Sequence, residues 1–152
     1  MLAKSADKHL YDFYIFSIAH AIRYMNDEKL AEYAITNRQA RLLGILYRSL
    51  QSKEEVNNKK LQDLMNLTGP SVTSLLNGLE KNAFIVRSPK KNDRRIIEYQ
   101  LTDKSNKLIE DMEQVFINTE KQLLKNMTDE EQQTFLHLLE KVYKNVAFAK
   151  II

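Results

Sequence analysis

Apolar residues recur along the chain at two spacings, and the places where one gives way to the other mark out its elements. From Leu10, the stripe Leu10, Phe13, Tyr14, Ser17, Ile18, Ala21, Ile22 and Met25 keeps helical spacing, and the polar pair Asn26 and Asp27 is expected to end that first helix. Tyr33 and Ile35 fall in a short link. Thr36 with Gln39 then has the spacing of a capping box, and Leu43, Leu46, Tyr47 and Leu50 form the buried face of a second helix. The polar run from Gln51 to Glu55 closes it.

A third helix begins at Asn57, where Val56 and Leu61 are placed for a hydrophobic staple and Leu61, Leu64 and Met65 point inward. A tight turn through Asn66, Leu67, Thr68 and Gly69 follows, and Pro70 is compatible with helix only in the first turn of a new one. In that fourth helix Val72, Leu75, Leu76 and Leu79 share one face, while Thr73, Ser74, Asn77 and Lys81 occupy the other. The period then changes to two. Phe84 to Val86 reads as a strand, Pro89 to Asp93 as a turn, and Arg95 to Leu101 as the returning strand of a hairpin with a basic tip. Thr102 caps a helix bearing Leu108, Ile109, Met112, Val115, Phe116, Leu123 and Leu124. Thr128 with Glu131 makes a second capping box, and Phe135, Leu138, Leu139, Val142, Tyr143 and Val146 are expected to face inward on the last helix.

Composition narrows the class. With 43% hydrophobic and 28% charged residues but only 3 Gly and 2 Pro in 152 residues, the chain reads as one mostly α globular domain with a small β-hairpin. It lacks cysteine, which excludes disulfides, thiolate metal sites and cysteine-based redox switching. No stretch is apolar enough to span a bilayer, and Met1 to Lys8 lacks the order of a secretory signal, so a cytoplasmic, non-membrane protein is expected. His9, His20 and His137 are too scattered for a zinc site. Without a Gly-rich phosphate loop, a histidine-and-nucleophile arrangement or an isolated carboxylate pair, the expectation is a protein that is not an enzyme and needs no cofactor or metal.

Charge changes the picture more by its position than by its total of +3. From Asn57 to Arg95, eight basic residues face three carboxylates; from Thr102 to Asn145, six lysines face nine carboxylates. The middle of the chain therefore suits a polyanion and the end does not. Helix, tight turn, helix with a short polar outer face, then basic hairpin is an order with a physical use on double-stranded DNA. A helix fits the major groove, and a narrow basic hairpin can follow the backbone into the adjacent minor groove, whose potential attracts arginine. The same helix and hairpin would also serve a module that binds another protein, although the basic tip argues against it.

The run from Leu67 to Thr102 resembles the DNA-binding core of the MarR family. Asp93 and Arg95 followed by Leu101 and Thr102 match the family's D-x-R and L-T wing signature, and Thr68-Gly69-Pro70 with Ser71 and Val72 is similar to the recognition-helix start of its multidrug-efflux repressors. The resemblance implies a winged helix-turn-helix over about 36–101, flanked by dimerisation helices over about 5–26 and 102–150. It also implies that Arg95 enters the minor groove, held by a charge-assisted hydrogen bond that it donates to Asp93. Thr68, Gly69, Ser71, Thr73, Ser74 and Asn77 would form the recognition-helix contacts, and Lys59, Lys60, Lys90, Lys91 and Arg94 would neutralise phosphates. No arginine stands on the outer face of the fourth helix, so the strongest guanine-reading side chain is missing there.

Apolar residues at the ends, Leu2, Leu10, Phe148, Ile151 and Ile152, would be exposed in a monomer. As in MarR proteins, the terminal helices would form a homodimer on a pseudo-palindromic operator. A small aromatic or anionic effector would release the repressor from a cleft lined by Phe16, His20, Arg23, Tyr24, Tyr33 and Tyr47, residues that would serve equally well as ordinary core.

Overall fold

The computed structural model describes residues 9–148. In chain order they form α1 (Leu10–Glu32), α2 (Asn37–Gln51), α3 (Asn58–Met65), α4 (Gly69–Lys81), β1 (Ile85–Lys90), β2 (Asp93–Leu101), α5 (Asp103–Leu123) and α6 (Asp129–Phe148). The mostly α architecture with one antiparallel hairpin agrees with the periodicity. The described residues fall into two compact units that divide after Val115. Leu2, Ile151 and Ile152 lie outside the described residues, as does the Phe148 side chain.

Local chemistry sets most boundaries. Thr36 Oγ1 accepts from the Gln39 backbone N–H and the Gln39 side chain answers the Thr36 backbone N–H, completing the box that starts α2. Asn57 Oδ1 accepts from Lys60 N at 2.8 Å to start α3, with Val56 and Leu61 both buried around it. Asn66 ends α3 in the left-handed conformation, at φ 52°, which asparagine tolerates better than most residues. Thr128 and Glu131 form the reciprocal box that starts α6, at 2.8 and 3.2 Å.

Three expectations differ. α1 does not stop at Asn26 and Asp27 but continues to Glu32: Asp27 finds partners there, with Arg23 Nε at 3.9 Å one turn earlier and Asn37 Nδ2 of α2 donating to it. The helix ends where Ala34 turns left-handed, at φ 51°. The strands are longer than their apolar runs, taking in Pro89 and Lys90 on one side and Asp93 and Arg94 on the other. A two-stranded sheet consists only of edges, where proline is tolerated. Finally, Leu64 and Leu50 are exposed rather than inward, at 47% and 38%; the last turn of α2 buries Ser49 instead.

The core belongs to the first unit. Leu42, Leu43, Leu46, Leu61, Val72, Leu79, Phe84, Ile85 and Leu108 bring α2, α3, α4, β1 and α5 around one apolar cluster. Gly78 permits a close approach within it: a Cβ there would stand 2.6 Å from Gln39 Nε2, the side chain already committed to capping α2. The hairpin is tied to the end of α4 by short-range polar contacts. Ala83 is left-handed at φ 60°, Thr102 Oγ1 donates to its carbonyl at 2.7 Å, and Ser105 Oγ donates to the Phe84 carbonyl. Lys104 lies 4.2 Å over the Phe84 ring and donates to the Asn82 carbonyl at 2.9 Å, placing a cation where the α4 dipole is negative.

In the second unit, Phe135 is partly buried, but Leu138, Leu139, Val142, Tyr143 and Val146 are exposed, contrary to the inward placement expected of them. Their helical spacing is apolar on one side, and the described residues leave that side exposed.

Candidate nucleic-acid interface

The two helices of the turn are held at their starts and at the turn itself. Leu67 N donates to the Gln62 carbonyl at 3.1 Å, and Gln62 Nε2 donates to Asn58 Oδ1 at 2.7 Å, so the turn is closed by groups of α3. Burial of Val72, Leu76 and Leu79 orients α4 and leaves Ser71, Thr73, Ser74, Asn77 and Lys81 exposed. At its start the Thr68 and Ser71 hydroxyls are 2.9 Å apart, while Thr73 Oγ1 accepts from Asn58 Nδ2 at 3.4 Å.

The hairpin pairs regularly from Ile85 opposite Leu101 to Pro89 opposite Ile97, then shifts so that Lys90 faces Asp93. Arg94, Arg95 and Ile96 lie between those two pairs on β2 with no counterpart on β1. Proline at the step has no N–H to continue the ladder. The irregularity sets two consecutive arginines free of the sheet near its tip.

Asp93 Oδ1 accepts from the Arg95 backbone N–H at 3.0 Å and stands 3.6 Å from Arg95 Nε. The carboxylate therefore fixes the arginine's backbone, while its side chain stays 95% exposed. This differs in detail from the expected hydrogen bond to the guanidinium, and an ion pair so open to water is weak.

Other basic residues divide into paired and unpaired sets. Lys59 bonds to Asp63 at 3.1 Å and Lys60 to Glu54. Among the described residues, Lys90, Lys91 and Arg94 have no ion pair, and all three are exposed. Three adjacent uncompensated charges therefore gather at the wing tip.

Arg87 is the contact that the pattern of residues did not single out. Its Nε donates to Glu80 Oε2 at 2.9 Å, its backbone N–H to the same oxygen at 3.2 Å, and its NH2 group to Asn77 Oδ1 at 2.7 Å. The hydrogen bond from Arg87 holds the Glu80 carboxyl below the usual carboxylate range. Arg87 counted in the basic run, but its partners lie on another element, beyond any helical or strand spacing. With Asn58, Thr73, Pro89 and Arg95 it lines a groove of about 470 Å³ between the helix pair and the wing.

The expected effector lining is not enclosed by the described residues. Phe16, His20, Arg23 and Tyr24 are exposed on α1, with the Phe16 and His20 rings stacked at 6.5 Å. Tyr47 is partly buried on α2. Tyr33 donates to Asp111 Oδ2 at 2.6 Å, a bond that pushes its hydroxyl up to about 12.

A helix-turn-helix with a polar-faced second helix and an arginine-bearing wing defines a winged helix-turn-helix protein. Residues 35–97 match the model of the MarR family. A crystal structure of the S. aureus MepR–DNA complex superposes with a TM-score of 0.74 at 29% identity, covering 90% of this chain and 99% of that one. S. aureus MepR bound to ethidium bromide gives a TM-score of 0.68 at 29% identity, covering 90% and 96%. An uncharacterized HTH-type transcriptional regulator of Bacillus subtilis, YwaE, is 30% identical over 88 residues, or 58% of this chain and 52% of that protein; the chain thus spans about half that relative's length. The match to the MarR family thus covers the helix-turn-helix and most of the wing, and the fold is that of the MepR structures. Among the described residues no helix is long and apolar enough to cross a membrane, and no cluster of potential metal ligands occurs.

Proposed function

We propose that this protein is a transcriptional repressor that binds a pseudo-palindromic DNA duplex as a homodimer, reading the major groove with α4 and the minor groove with Arg95. The observation that carries this reading is the unpaired stretch of β2, which leaves Arg95 exposed and its backbone held by Asp93, next to the polar face of α4. Thr68, Ser71, Thr73, Ser74 and Asn77 then face the major groove, Gly69 lets the start of α4 approach the backbone, and Lys90, Lys91 and Arg94 meet phosphates. Lys59 and Lys60 contribute less, since each already holds a carboxylate.

Exposed apolar side chains on α1, including Phe13 at 59%, and on α6, including Tyr143 at 70%, support a two-fold dimer through the terminal helices. Such a dimer places two wings on half-sites about 10 base pairs apart. The exposed α1 aromatics Phe16 and Tyr24, with His20 and Arg23, complete an effector cleft only when a second chain encloses them. The ethidium complex of MepR supports an aromatic ligand.

Salt dependence of duplex binding tests the wing. Arg95→Ala and Lys91→Ala each weaken affinity and lower the slope of log K against log salt by about 2 per dimer, one contact from each protomer. Unchanged affinity and slope in both variants overturns the assignment, and salt-insensitive binding to a protein without affinity for any duplex replaces it with an interaction module.

A further inference from the structure

Arg87 meets one residue of the recognition face through a bond whose polarity admits only one arrangement. A guanidinium has five donors and no acceptor, so the Asn77 atom 2.7 Å from the Arg87 NH2 group must be the amide oxygen. Glu80 holds Arg87 from the other side through Nε and the backbone N–H, at 2.9 and 3.2 Å, so the guanidinium is not free to follow a rotating amide. The Asn77 side chain remains exposed, and with its oxygen turned to Arg87 the opposite end of the amide is its NH2.

An unconstrained asparagine pairs with adenine through both amide ends, donating to N7 and accepting from N6–H. An asparagine whose oxygen is turned to Arg87 presents its NH2 group instead: it can still donate to a purine N7, but the N6–H of adenine and the N4–H of cytosine meet a donor where they need an acceptor. Guanine O6 and thymine O4 both accept from an NH2 group. We propose that Arg87 is a positioning residue that fixes the Asn77 amide oxygen away from the groove, so that Asn77 selects the keto bases guanine and thymine at one position of each half-site. This rests on the reading of α4 as the recognition helix. It also supplies a source of base preference on a face that carries no arginine.

Selection of duplexes from a random pool by the full-length protein and its variants tests it. The wild type is expected to select guanine or thymine at one symmetric position, and Asn77→Ala to lose preference there alone. Arg87→Met frees the amide and raises adenine relative to guanine at that position by about ten-fold, the scale of one bidentate base contact. The double variant matches Asn77→Ala, Arg87→Lys retains the wild-type preference, and the salt slope of Arg87→Met stays that of the wild type.

Unchanged base preference in Arg87→Met overturns the proposal. So does an equal loss of affinity on all duplexes with a flatter salt slope, which would make Arg87 a phosphate contact. If circular dichroism shows that Arg87→Met does not fold, Glu80→Gln, which loosens the clamp and keeps the guanidinium, decides: a shift toward adenine upholds the proposal and an unaltered preference overturns it. A wild type that selects no duplex overturns the DNA-binding reading itself, a result distinct from selection that Arg87 and Glu80 do not influence.

Discussion

The winged-helix segment and the terminal helices contain similar kinds of apolar residues and use them differently. Between Thr36 and Leu101, Leu42, Leu46, Leu61, Val72, Leu79 and Phe84 are fully or almost fully buried within one chain. On α1 and α6, Tyr11, Phe13, Phe16, Leu136, Tyr143 and Val146 are exposed by half or more. The first region satisfies its hydrophobic pattern internally, and the second offers a pattern that only another surface can satisfy. The contrast even divides α1, whose far end anchors Leu30 at 3% exposure and packs Tyr33 against the core. An amphipathic stripe read from spacing therefore identifies an interface to be buried without saying whether the partner is the same chain.

Four substitutions bear on this contrast, in decreasing order of effect. Phe84→Ala removes a ring with 0% exposure at the junction of α4, the hairpin and α5, and is expected to cost about 3–5 kcal/mol in urea unfolding. A cost below about 1 kcal/mol would mean that the winged-helix core is looser than its burial implies.

Phe13→Glu and Leu139→Glu act on the other side of the comparison. Neither removes a buried contact within the chain, where these residues are 59% and 45% exposed. Each is expected to weaken association by about 2 kcal/mol, roughly 30-fold in the dimer dissociation constant, as read by sedimentation. Wild-type sedimentation of both variants would remove α1 and α6 from the dimer interface.

Tyr33→Phe probes the point where α1 joins the core. Loss of the bond to Asp111 is expected to cost on the order of 1 kcal/mol at neutral pH. The bond requires protonated tyrosine. Because the Tyr33 hydroxyl is raised from its ordinary 10 to about 12, its contribution is complete below pH 10 and is lost as pH rises through 12. Stability measured from pH 9 upward should fall more steeply in the wild type than in Tyr33→Phe. Parallel profiles would show that the bond does not couple to folding.

What the sequence determined by itself is what depends on neighbours three or four positions away. The boxes at Thr36 with Gln39 and Thr128 with Glu131, the cap at Asn57, the inner face of α4 and the presence of the hairpin all follow from local spacing, and each appears in the structure. The wing signature and the family it indicates were legible for the same reason, since the signature residues are close along the chain. Tertiary structure decided the rest. The break in strand register after Pro89 sets Arg94 and Arg95 outside the ladder, and Asp93 bonds to the Arg95 backbone more closely than to its guanidinium. The Arg87 contacts to Glu80 and Asn77 exist only because β1 packs against α4. Burial of the terminal helices' apolar faces is likewise not a property of spacing. Periodicity shows which side of an element avoids water, but the surface that covers that side is set by the packing of whole elements, and the described residues leave these faces exposed.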